Sequence, residues 1–354
     1  MTAHRHHTFQ AVSGTIIRAG LFLCLLLLLF PALTMAAESP TVIRRAALDI
    51  GSAVTKCTVA DVNPISCDVV KIVQRFSVKV DYAEDMARSY DGNLSKDILE
   101  KGMKAVKELK RKALALGTHE FSAVGGPPFR EARNGKAFFA LIQEETGFAA
   151  RIVSEQQASL LSYQSVQQHA SVASPDLLVW DIGGDDQTMT VRANDGSLVF
   201  HIDKMASVSF KNAVISAIQG RDINTVSSPN PMSANEVERG LELVEAYAML
   251  SVEKGLANRI RNGKVRVVGI GGVHYHAVPE LLGQRGPAYT RLEVEEALSR
   301  WTGKSDEAFN SEYADTRLTN LILVLGYMRA LDIETIAPLK VNQADGLLIS
   351  PDFW

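Results

Sequence analysis

Cysteine is scarce in this chain, with three in 354 residues, and there is neither a low-complexity tract nor a long linker. Three cysteines leave room for one intramolecular bridge at most. The absence of a linker argues for packed lobes rather than modules on a tether. Positive charge is not in excess either, at 37 Lys and Arg against 40 Asp and Glu. A net acidic surface does not draw polyanions from a distance, so duplex nucleic acid is not an expected partner and any phosphate site has to be built locally. An apolar run of spanning length is missing too. After Arg18, the stretch Leu21 to Phe30 is almost pure Leu and Phe, shorter than the roughly 18–20 residues of a transmembrane helix.

What that short run does fit is a leader. Arg5 and Arg18 precede it, and Thr34-Met35-Ala36-Ala37 follows with the small residues of a secretory cleavage site. Residues 1–37 are therefore read as a signal peptide. The protein is expected in the periplasm or secreted, with no stable membrane span in its mature form. Cys24 lacks the small residues that precede a lipoprotein acceptor. Removal of residues 1–36 leaves 35 basic against 40 acidic side chains. It also leaves Cys57 and Cys67, in an oxidising compartment.

The rest is long enough for two lobes, since single cores stop growing near roughly 250–300 residues. Val42 to Ile50 reads as a strand, and Val54 to Ala60 and Cys67 to Val73 as two more joined by a turn. Ser95 to Leu116 is an amphipathic helix with Ser95 as its N-cap and Gly117 past its end. Phe121 to Val124 is a strand, Glu131 to Thr146 a helix, and Ala150 to Val153 a strand. Ser154 to Gln157 is a capping box at the next helix start. In the second half Leu177 to Ile182 is a buried strand, and Thr188 to Ala193 with Ser197 to Ile202 a hairpin. Ser233 opens a helix to about Ala257, Val265 to Ile270 is a strand, and Leu318 to Leu331 is an apolar helix. The two histidines after the next turn, His274 and His276, read as polar loop residues, and Trp301 as core.

The halves echo one another. Asp49-Ile50-Gly51 and Asp181-Ile182-Gly183 each close an apolar strand, and at the same offset Thr58-Val59 matches Thr190-Val191. The echo favours two duplicated α/β lobes, 43–170 and 171–354. A strand ending in Asp and then Gly suits a phosphate site. The Asp can orient a metal or its waters, and the Gly lets backbone N–H groups approach phosphate oxygens. Gly269-Ile270-Gly271-Gly272 supplies a third such turn.

Taken in order, Asp49-Ile50-Gly51-Ser52, Phe129-Arg130-Glu131-Ala132-Arg133-Asn134-Gly135, Glu145-Thr146-Gly147, Asp181-Ile182-Gly183-Gly184, Gly271-Gly272 and Asp345-Gly346-Leu347-Leu348 resemble the Ppx/GppA phosphatases, the exopolyphosphatase and guanosine pentaphosphate phosphatase family. The resemblance covers about residues 43–350. It implies an α/β fold of two duplicated actin-like ATPase (ribonuclease H-like) lobes with a cleft between them. It implies phosphoanhydride hydrolysis of polyphosphate or a phosphorylated nucleotide. Carried over, it puts phosphate at Gly51, Ser52, Gly183, Gly184, Gly271 and Gly272. Asp49 and Asp181 become Mg²⁺ ligands, and Arg130 grips the phosphoryl group.

The departures concern the base. Asp185-Asp186-Gln187-Thr188 stand where the family has Gly-Ser-Thr-Glu, and two carboxylates there repel an anion. The paired glutamates upstream are replaced by Gln157 and Ala158. Glu155, about one helical turn from position 158, is the substitute to examine. Three functions stay open: a weak exported hydrolase, a member that binds a ligand or protein without turnover, and a sugar-kinase-like enzyme. The export signal weighs against the last. Cys57 and Cys67, placed opposite one another if the hairpin turn centres near Val62, are a candidate disulfide.

Overall fold

The computed structural model describes residues 42–169, 176–263, 265–283 and 286–354. The leader expectation and the first basic residues lie outside them. Two mixed sheets organise the chain. In the first, β3 (Asp68–Lys79), β2 (Val54–Asn63), β1 (Ile43–Ile50), β4 (Glu120–Gly125) and β5 (Ala149–Ile152) lie in that order. In the second the order is β10 (Tyr289–Thr290), β11 (Thr335–Pro338), β9 (Arg266–Ile270), β6 (Leu177–Ile182), β7 (Gln187–Arg192) and β8 (Leu198–Asp203).

The duplication is visible in the pairing. β1 runs antiparallel to β2 and parallel to β4, and β6 runs antiparallel to β7 and parallel to β9. A strand with a parallel partner is covered on both faces and reads as a continuous apolar run. Ala46, Ala47, Leu48 and Ile50 in β1, and Leu177, Leu178, Val179 and Trp180 in β6, are accordingly buried.

Helices cover the sheets. Along the first sheet lie α1 (Tyr82–Ala87), α2 (Lys96–Ala115), α3 (Pro127–Glu131), α4 (Gly135–Thr146) and α5 (Glu155–Gln167). Ser95 caps α2 by accepting from the Ile98 N–H, and Ser154 with Gln157 forms the capping box of α5. The helix expected from Glu131 starts at Gly135 instead, because Glu131 ends α3 and Ala132 is extended (ψ 132°). In the second half are α6 (Ser207–Ala213), α7 (Ala234–Ser251) and α8 (Ala314–Leu331). The helix from Ser233 stops at Ser251 rather than near Ala257, since Val252 turns extended (ψ 124°) and Glu253 caps a new helix. α8 is buried along nearly its whole length and is the spine of the second core.

The last helix, α9 (Gln343–Leu347), leaves the second sheet. Ala344, Leu347 and Leu348 pack with Ala47, Ala60, Val124 and Leu161 against the first sheet and α5. The lobes are also tied by Lys211 of α6. Its buried ammonium reaches Glu84 of α1 at 2.8 Å, the Ser227 carbonyl at 3.0 Å and Asp315 of α8 at 3.5 Å.

The disulfide expectation is not met. The β2–β3 hairpin turns at Pro64 to Cys67, not at Val62, so Cys57 pairs with Phe76, and both cysteines are free. Cys67 sits in the turn itself, with φ 56°. Nor is His274 a loop residue. It is fully buried, with Nδ1 2.6 Å from the Tyr289 hydroxyl and its ring against Trp180, so burial holds it well below the usual imidazole range, at about 3. Trp301 packs partly buried on the second core and stacks on Phe309.

Candidate active site

Three turns converge where the sheets meet. The first follows β1 at Gly51-Ser52, the second follows β6 at Gly183-Gly184, and the third follows β9 at Gly271-Gly272. A Cβ on Gly184 would lie 2.8 Å from the Ser52 Cβ, so only glycine allows the first two turns to touch. Gly271 has φ +82°, and a side chain there would meet the Asp181 carboxylate at 2.7 Å. Gly272 faces open space. The structure thus brings together the glycines singled out from sequence.

The strand-ending aspartates are held differently. Asp49 lies opposite Lys56 on β2, with the ammonium 3.4 Å from its Oδ2. Asp181 lies opposite Thr188 on β7 and accepts from the Ser162 hydroxyl at 2.7 Å. Burial raises the Asp181 carboxyl, with Lys56 and Ser162 pulling the other way. Burial lowers the Lys56 ammonium, but Asp49, Asp181 and Asp345 outweigh it and leave it raised. Lys56 was not expected from sequence, and it is the countercharge of this floor.

Asp49 and Asp181 would give a divalent ion two carboxylates, a set that Mg²⁺ completes with phosphate oxygens and water. Among the described residues no group of three or more His, Cys, Asp and Glu side chains could hold one. Asp49 already has an ammonium beside it. Of the Mg²⁺ expectation, the two aspartates are present near one another but without a third ligand.

Arg130 enters from the end of α3. Its Nη1 donates to the Val153 carbonyl at 2.9 Å, which fixes the guanidinium, and Nη2 donates across the lobes to Asp186 Oδ2 at 3.3 Å. Glu155, at the start of α5, stands 3.7 Å from the same Nη2 with its side chain partly exposed. Lys204 pairs with Glu131 beside them. Asp185 follows Gly184 on the same turn, beside Ser52. Burial pushes its carboxyl up to about 7, with Asp186 and Glu131 adding to the rise. The Asp186 carboxyl is pushed up to about 6 by burial against the pull of Arg130.

The replaced glutamate positions are unavailable for chemistry. Gln157 closes the capping box onto the Ser154 N–H at 2.9 Å, Ala158 is buried in the core, and Thr188 is buried opposite Asp181.

Residues 58–192 match the family model of the Ppx/GppA phosphatases. No curated protein matches the chain. Among solved structures, a Ppx/GppA family member from Aquifex aeolicus is 16% identical with a TM-score of 0.66, over 87% of this chain and 97% of that one. An exopolyphosphatase from Cytophaga hutchinsonii is 13% identical with a TM-score of 0.66, over 86% and 96%. An exopolyphosphatase-like protein is 13% identical with a TM-score of 0.69, over 87% and 97%. At such identities the structures establish a shared fold. The match over residues 58–192 agrees with the resemblance read from the motifs, and the chain shares the fold of these solved structures.

Proposed function

We propose that the chain is an exported phosphoanhydride hydrolase of the Ppx/GppA kind, slower than relatives that keep the family glutamates, acting on polyphosphate or a phosphorylated nucleotide. The observation that carries the reading is Arg130. A guanidinium fixed by the Val153 carbonyl points into the junction of three glycine turns, and its outer nitrogen holds a carboxylate. A planar fork of donors matches a phosphoryl group as it matches a carboxylate. Phosphoryl transfer asks mainly for such positioning and charge stabilisation. Slowness follows from Gln157, Ala158 and Thr188. General-base assistance contributes about 10²–10⁴-fold, and none of the three can give it. Export rests on the leader sequence alone.

The test is release of orthophosphate by the mature protein from polyphosphate and from guanosine pentaphosphate, side by side, with and without Mg²⁺. Slow release from either supports the reading. Tight binding of both with no release would instead favour a binding protein, for which the burial of Ala158 is the supporting observation.

A further inference from the structure

Each of the first two glycine turns is held by the start of a helix. The first lies against α1: the Ala83 N–H donates to the Ser52 carbonyl at 2.8 Å, and the Val80 N–H to the Ala53 carbonyl at 3.1 Å. The second lies against α6. There the Ser207 N–H donates to the Gly183 carbonyl at 3.1 Å and the Val208 N–H to the Gly184 carbonyl at 2.8 Å. Where the turns face each other, a Cβ on Gly184 would stand 2.8 Å from the Ser52 Cβ. The turns touch without slack, so a small movement of either helix changes the gap between them.

One side chain spans the two helices. Lys211 of α6 is 1% exposed, and its ammonium donates to Glu84 Oε2 at 2.8 Å, one residue along α1 from Ala83. It also donates to the Ser227 carbonyl at 3.0 Å and to Asp315 at 3.5 Å. An ammonium has three N–H groups, and here each has an acceptor. The other Glu84 oxygen accepts from Arg88 at 2.7 Å, and Arg88 Nε reaches the Ile223 carbonyl of the second lobe at 3.2 Å. A closed circuit results, from Ser52 through Ala83, Glu84, Lys211, Val208 and Gly184 back to Ser52. A buried ion pair is a poor source of stability, because desolvating the charges offsets much of their attraction. What this one supplies is direction. Acceptors on α1, on the Ser227 segment and on α8 fix one ammonium at one point, which an apolar side chain filling the same space does not do.

We propose that Lys211 is a positioning residue that, through Glu84, sets the separation of the first two phosphate-binding turns. The proposal rests on the hydrolase reading above, in which those turns hold phosphate. Lys211 does not touch the ligand and acts on where the Ser52 and Gly184 backbones stand. A displacement of about 1 Å at such a site can cost about 100-fold in rate.

The experiment measures tripolyphosphate affinity by calorimetry, and kcat and KM from orthophosphate release, for mature proteins held well below their melting temperatures. Lys211→Met leaves Glu84 and Asp315 without their shared countercharge and can fail to fold. A second variant therefore carries Lys211→Met, Glu84→Gln and Asp315→Asn together, which leaves no buried charge unpaired. This triple variant should melt close to wild type and yet lose about tenfold or more in affinity and in kcat. Glu84→Gln alone keeps an acceptor for Lys211 and should keep most of both. Val244→Ala, where α7 packs on Gly326 of α8, should lower the melting temperature and leave affinity and kcat as in wild type. A folded triple variant with wild-type affinity and turnover overturns the proposal. So does an equal loss in Val244→Ala, which would make the effect one of stability. Wild-type protein that binds tripolyphosphate without releasing orthophosphate overturns the hydrolase reading alone, and the affinities of the variants then decide the positioning role.

Discussion

Arg130 and Asp186 meet across the two lobes, Nη2 to Oδ2 at 3.3 Å. An internal carboxylate therefore sits where the proposed ligand's phosphoryl oxygens have to go, and a ligand must displace it. Asp186→Asn removes the competing charge and leaves Arg130 on the Val153 carbonyl. Tripolyphosphate should bind about 3–10-fold more tightly to this variant at pH 7.5, since one charged hydrogen bond contributes about 1.5–3 kcal/mol and only part of it is recovered. Calorimetric titration checks this, and weaker binding in the variant would show that Asp186 aids the ligand.

The two acids of that turn also set how stability depends on pH. A carboxyl raised in the folded state from its ordinary value of 3.8 to about 7, as Asp185 is, binds a proton that the unfolded chain has given up between those values. Stability must then fall as pH rises through that window. Asp185→Asn removes the contribution. The variant should melt about 2–4 °C higher than wild type at pH 8 and at the same temperature near pH 4, measured by calorimetry. An equal difference at both values would mean that Asp185 ionises freely.

Lys56 is the counterweight of the floor. Removing one partner of a buried pair costs about 3–5 kcal/mol, and the partial exposure of the Lys56 side chain lowers that expectation to about 1–3 kcal/mol. Lys56→Met should unfold at lower urea concentration by that margin, and Lys56→Arg should recover much of it. Because the ammonium is raised from its ordinary 10.5, its contribution should persist through neutral pH and disappear only in strong base. A Lys56→Met protein as stable as wild type would mean that Asp49 and Asp181 need no countercharge.

Both cysteines should be titratable thiols in the unreduced, denatured mature protein. In the folded state Cys67, partly accessible in its turn, should react first with a thiol reagent. Cys57 is buried, and burial pushes its thiol up to about 12, so it should react only on unfolding. Intact mass after alkylation distinguishes this from a bridge.

Much of the architecture was legible because it is written locally. The apolar strands ending in Asp-Ile-Gly, the caps at Ser95, Ser154 and Ser233, and the β7–β8 hairpin all follow from spacing within a dozen residues. Lys56 could have been found the same way. A turn over Gly51 to Val54 puts residues summing to 105 opposite one another, hence Asp49 and Lys56. The cysteine pairing failed for the same kind of reason in reverse. The turn centres between Ile65 and Ser66 rather than near Val62, and two register shifts, between Val59 and Ala60 and between Asp61 and Val62, alter the count along the ladder. The return of α9 to the first sheet and the reach of Arg130 to Asp186 join segments far apart in sequence, and no local pattern encodes them. The acids at 185 and 186 were visible as a departure. That Asp186 is held by Arg130 required the fold.

The central claim is that Arg130 grips the phosphoryl group being cleaved. It is tested most directly by orthophosphate release from polyphosphate, measured for the mature wild-type and Arg130→Ala proteins in parallel under saturating substrate. Slow release by wild type that falls by about tenfold or more in Arg130→Ala, at an unchanged melting profile, is the predicted result, as expected for loss of about 1.5–3 kcal/mol of charged hydrogen bonding. Equal release by the two proteins would contradict the account.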